Sequence, residues 1–103
     1  MRESSIKARG TRGGRKHEIV IKKDGRGKIK AFLDGREDSF LLERLDRETE
    51  FDPSLANNYQ PERGTMLAYY NLLATTFFDE LDGIETAGDI GTIPYSPEKG
   101  ILY

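Results

Sequence analysis

Arg9-Gly10-Thr11-Arg12-Gly13-Gly14-Arg15-Lys16 places four cations in eight residues on a glycine-rich backbone. Such a segment can follow a row of phosphates, each neutralised phosphate releasing condensed counterion. Lys22, Lys28 and Lys30 continue the cationic series a little further on. No aromatic is interleaved with the first set, so it offers no stacking surface for bases. Asp79, Asp82, Glu85 and Asp89 form an acidic counterpart. Their spacing lacks the Asp-x-Asp-x-Asp-Gly order and closing Glu of a calcium loop, which leaves a solvated acidic surface or a mimic of phosphate spacing.

Catalytic chemistry has little to stand on. His17 is the only histidine, and no Gly-x-Ser-x-Gly or phosphate-loop pattern accompanies it. Gly25-Arg26-Gly27 reads as a turn, because no helix pattern follows it. Without cysteine there is no thiolate nucleophile, disulfide framework or Cys-ligated metal. The expectation is a non-catalytic protein with no catalytic residues, no metal and no cofactor.

The charges fall into two blocks. Residues 1–36 hold twelve Lys or Arg against four acids, net +8, and residues 37–103 hold four against fourteen, net −10. That asymmetry speaks of partners and solubility more than of fold. No apolar run approaches the roughly 18 residues of a membrane span, and the N-terminus has no apolar signal segment, so a cytoplasmic protein without membrane contact is expected.

The elements that must position these groups follow from periodicity. Within residues 1–16 only Ile6 and Ala8 are inclined to enter a core, which predicts a flexible basic arm ahead of one α+β domain over 17–103. From His17 to Gly35, two β-rich runs flank Asp24-Gly25-Arg26-Gly27 and predict an antiparallel hairpin. An odd register pairing Ile21 with Ile29, Ile19 with Ala31 and His17 with Leu33 collects the apolar residues on one face. Lys22 then opposes Lys28 and Val20 opposes Lys30, with Phe32 near Glu18. Residues 36–51 read as a third strand or a short helix capped by Asp38 or Ser39, and 51–60 as a loop.

One long helix is predicted from Pro61 to Asp82, stopped by Gly83, with a regular start at Gly64-Thr65 as the variant. Its wide apolar stripe of Met66, Tyr70, Leu73, Phe77 and Leu81, broadened by Leu67, Tyr69, Leu72, Ala74 and Phe78, calls for cover on more than one side. Short strands follow within 84–95 and at 101–103, and Pro94-Tyr95-Ser96-Pro97 has the spacing of an extended groove ligand.

The fold read from sequence is therefore small and α+β, with an N-terminal hairpin and further short strands packed on one long helix. The leading function is protein–protein binding or regulation, with a protein partner or a second copy as occupant, in the manner of a phage or mobile-element accessory protein. Leu67, Tyr69 and Phe78 would be its apolar anchors, beside Asp79 and Asp82. Those acids would crowd the helix C-terminus and draw the lysine face of the hairpin onto themselves. The alternative is nucleic-acid binding through Arg9, Arg12, Arg15, Lys16, Lys22, Lys28 and Lys30.

Overall fold

The computed structural model describes residues 3–48 and 62–91, together with the backbone of 95–96 and 100–101. The readings made for 51–61, for Pro94 and Pro97, and for 102–103 fall outside the described residues. Strands β1 (Ser4–Arg12), β2 (Arg15–Lys23), β3 (Ile29–Leu33), β4 (Arg36–Glu37) and β5 (Glu80–Ala87) form one antiparallel sheet in the order β4-β3-β2-β1-β5. Helices α1 (Ser39–Glu48) and α2 (Met66–Leu72) pack on this sheet, α1 against β3 and α2 against β1 and β2. Tyr95–Ser96 and Gly100–Ile101 pair separately as β6 and β7.

The N-terminal arm is the largest departure from the sequence reading. Residues 4–12 are an interior strand, hydrogen-bonded to β2 on one side and β5 on the other. The cause is strict alternation. Ser4, Ile6, Ala8 and Gly10 are buried while Lys7 and Arg9 are exposed, so every second residue enters the core despite the polar composition. Ile6 and Ala8 are fully enclosed, and burying Ile6 alone is worth about 1.5–3 kcal/mol. At Gly10 the Phe78 ring lies so close that a Cβ would stand 2.6 Å from Cγ, which reserves the position for glycine. The β1–β5 register shifts at the same point.

The hairpin keeps the predicted faces but moves by two residues. Ile19 opposes Leu33, Ile21 opposes Ala31, and Lys22 opposes Lys30, not Lys28. His17 lies across from Gly10 in the β1–β2 ladder. The five-residue loop 24–28 is set by Asp24, whose Oδ1 accepts the N–H groups of Arg26 and Lys28, both at 2.9 Å. A second tight turn at Asp34-Gly35, both at positive φ, leads into β4.

Residues 36–48 supply both alternatives in succession, a two-residue strand and then α1. Asp38 caps that helix by accepting the Phe40 N–H at 3.0 Å. Leu41 and Leu45 bury one stripe of it.

The single long helix is replaced by a short one. Thr65 caps α2 by accepting the Ala68 N–H at 3.1 Å, and the helix widens into a π turn over Leu73–Phe77. Thr75 and Thr76 donate their hydroxyls to the carbonyls of Asn71 and Leu72, a competition that bends helices. Phe78 is extended, and the Asp79 N–H donates to Thr11 at 2.8 Å, so the chain enters β5 where the helix was expected to continue. The wide stripe is real. Met66, Leu67, Ala68, Tyr69, Tyr70 and Leu72 are all buried, covered by the sheet and by α1.

Because β1 is bonded along both edges, deleting residues 1–12 is expected to abolish the cooperative unfolding transition. Urea titration followed by far-UV circular dichroism checks this; a truncated chain with the full-length midpoint would restore the flexible-arm description.

Candidate nucleic-acid interface

Both helices cover the same side of the sheet, and alternation assigns the other side to water. That side carries Ser5, Lys7, Arg9 and Thr11 from β1, Lys16, Glu18, Val20 and Lys22 from β2, and Lys30 and Phe32 from β3. The registers arrange them in rows across the strands. One row reads Ala87, Ser5, Lys22, Lys30, and the next reads Glu85, Lys7, Val20, Phe32, Glu37. Small side chains thus lie beside two lysines, with an aromatic ring one row away.

This corner is concave, with a volume of about 480 Å³. Its wall includes Lys22, Lys23, Lys28, Lys30 and Phe32, with Glu3 and Asp24 as the acids. The Lys22 ammonium sits 5.4 Å from the centre of the Phe32 ring. No carboxylate of the described residues forms an ion pair with Lys22, Lys28 or Lys30. Lys22 and Lys30 face each other directly, an arrangement that costs roughly a few tenths of a kcal/mol without an anion nearby. Asp24 is the acid at the hairpin end of this corner, and loop amides hold its carboxylate in place. The Lys28 N–H and then the Arg26 N–H hold its pKa below the ordinary aspartate value, and the Lys28 and Lys30 charges add to that.

The remaining predicted cations are distributed differently. Arg12 is a clasp: its guanidinium lies 4.0 Å from the Phe77 ring centre and donates to the Phe77 carbonyl and to Glu48 Oε1, both at 3.0 Å. Those bonds join β1 to the π turn and to the end of α1, so the Arg12 guanidinium is engaged within the fold. Arg9 lies 3.9 Å from Glu85 on β5, and Lys7 lies 4.0 Å from Glu18, both weak exposed pairs. Arg15 and Lys16 stand exposed at the β1–β2 turn. Six residues separate Lys16 from Lys22 along β2, about 20 Å at strand rise.

Leu67, Tyr69 and Phe78, the expected protein-binding anchors, are core residues with 5%, 2% and 7% of their surface exposed. The Tyr69 hydroxyl donates to Asp46 at 2.8 Å, and burial, followed by that bond, raises its pKa. Asp79 serves the β1–β2 turn by accepting the Gly13 N–H at 2.9 Å. Asp79 directly follows the residue that ends the π turn, whereas Asp82 is exposed on β5, so the two acids do not crowd one helix terminus. The acidic segment does meet the basic one, but along the β1–β5 ladder instead of over the lysines. Among the described residues, no three His, Asp or Glu side chains converge as a metal site requires. No helix among them is long and apolar enough to cross a membrane.

Phe32 and Lys23 are the aromatic and the cationic member of this corner absent from the residues expected from sequence. The signal for Phe32 was present, since Lys30 and Phe32 are two apart and share a face with Lys22 in any odd register. Asp34 buttresses the far end of the same strand pair. It accepts the Glu18 N–H at 2.9 Å and bonds His17 Nδ1 at 2.8 Å, and these contacts, in that order, lower its pKa.

A carboxyl with a depressed folded-state pKa contributes stability that is present above the unfolded value of about 3.9 and is lost as pH falls through the folded value. Urea midpoints measured between about pH 6 and 2 are therefore expected to fall in the acid range. The fall should be shallower for Asp24→Asn with Asp34→Asn than for the parent chain, and an unchanged profile would remove these two carboxylates from the acid response.

No protein-family model, curated protein or solved structure matches this chain.

Proposed function

We propose that the chain is a non-catalytic nucleic-acid-binding module that uses the helix-free face of its sheet. The observation that carries this reading is the Lys22–Lys30 cross-strand pair, which has Lys28 beside it and no carboxylate partner among the described residues. A polyphosphate backbone supplies the missing anion. The overall charge of −2 does not oppose this, because the cations are concentrated on the strands and a Debye length of about 10 Å at 0.1 M salt makes local charge decisive. Lys22, Lys28 and Lys30 are assigned to the phosphates. Arg15 and Lys16 contribute only to a polymer long enough to run the length of β2.

The protein-binding reading loses its apolar strip to the core. One observation still favours it. Phe40, on the outer side of α1, is 71% exposed, a large apolar side chain left to water among the described residues.

Fluorescence anisotropy with a labelled oligonucleotide at low salt tests the proposal. Three phosphate contacts predict a log–log salt slope of about −2 to −3. Lys22→Ala with Lys30→Ala is expected to weaken binding about tenfold or more, whereas Arg12→Ala should lower stability with little effect on affinity in the folded fraction. Absence of binding to both single-stranded and duplex probes would reject the proposal.

A further inference from the structure

We infer that the nucleic acid recognised is single-stranded, with a base stacked on Phe32 and the flanking phosphates held by Lys22 and Lys30. The inference rests on the binding reading above and names its substrate class. Duplex recognition needs an element that enters a groove, either a helix or a two-stranded ribbon. Both helices lie on the far side of the sheet, and β1 and β2, as interior strands, form no free two-stranded ribbon. A broad sheet face can instead receive bases that have already left the duplex.

The local arrangement suits that ligand. Phe32 is half-buried, so its ring is fixed by its neighbours while part of it remains open. Val20 and Glu37 flank it along its row, and the Lys22 ammonium occupies space over the ring. An arriving base takes the place of Lys22 over the ring, and the released ammonium moves to a phosphate. Glu37 disfavours phosphate beside the ring, which holds the backbone to the Lys22–Lys30 row and directs the base to Phe32. Ser5 and Ala87 continue that row with small side chains, leaving room for the backbone to pass.

Phe32→Ala, Phe32→Leu and Phe32→Trp chains, compared with the parent against a fifteen-nucleotide oligothymidine and a duplex of equal length, test this. The parent is expected to bind the single strand more tightly than the duplex. Phe32→Ala should weaken single-strand binding about tenfold and duplex binding less than about twofold, as expected for loss of one base–aromatic stack. Phe32→Leu preserves apolar bulk without a π-face and should show the same selective loss, which covers the case in which the alanine chain fails to fold. The chain contains no tryptophan, so Phe32→Trp supplies a single reporter whose fluorescence should be quenched by the oligonucleotide and not by inorganic polyphosphate. Equal affinity for the two probes, or folded Phe32 variants that retain single-strand affinity within about twofold, would overturn the stacking inference while leaving the lysine surface intact. A parent chain that binds neither probe would instead overturn the underlying reading, and this one with it.

Discussion

Strand β1 is bonded on both edges and alternates without interruption from Ser4 to Gly10, and the other elements take their places from that constraint. An interior strand has no free edge, so its position fixes β2 on one side and β5 on the other. Period-two geometry then leaves no choice of face: Ile6 and Ala8 enter the core, and Lys7 and Arg9 must stand in water. A one-residue slip would bury two cations and expose the isoleucine. The penalty for unpaired buried charge is severe enough to exclude it.

Helices α1 and α2 complete the core from one side only, and the sheet is consequently polarised into an oily face and a wet one. The two charge blocks of the chain are reconciled within this arrangement at limited points. Arg9 approaches Glu85 along the β1–β5 pair, and Arg12 reaches Glu48 at the end of α1. The Arg12 clasp combines a ring contact with two hydrogen bonds and joins three elements, a role distinct from that of a solvated cation. Among the described residues Lys22, Lys28 and Lys30 form no ion pair, and their corner is concave and includes an aromatic ring. Cross-strand repulsion of this size is tolerable in a folded sheet.

How much of this was legible from sequence differs by element, for physical reasons. The hairpin faces were legible because burying Ile19 and Ile21 together permits only one parity. The register within that parity was not, because it depends on Asp24 enlarging the loop by bonding two amides, a choice invisible to hydrophobic pattern. Averaged composition concealed β1: a mostly polar and glycine-rich sixteen-residue stretch looks disordered, yet Ser-Ile-Lys-Ala-Arg-Gly alternates, and the burial of Gly10 beneath Phe78 is a tertiary event. The helix stripe was legible, but its end was not. Two threonines and a switch to extended backbone at Phe78 turn a long periodic pattern into a short helix, a π turn and an edge strand. The candidate site was half legible. Lys22, Lys28 and Lys30 stand out in the sequence as a cationic series, whereas the value of Phe32 depends on which neighbours the register places around it.

The central claim is that the basic N-terminal segment is the inner strand of the sheet, and amide hydrogen exchange of the intact chain tests it most directly. The account predicts that Ile6, Lys7, Ala8 and Arg9 are protected as strongly as Ile19 to Ile21, since both edges of β1 are bonded. Exchange at unprotected rates in residues 4–12, with β2 and β3 still protected, would contradict it.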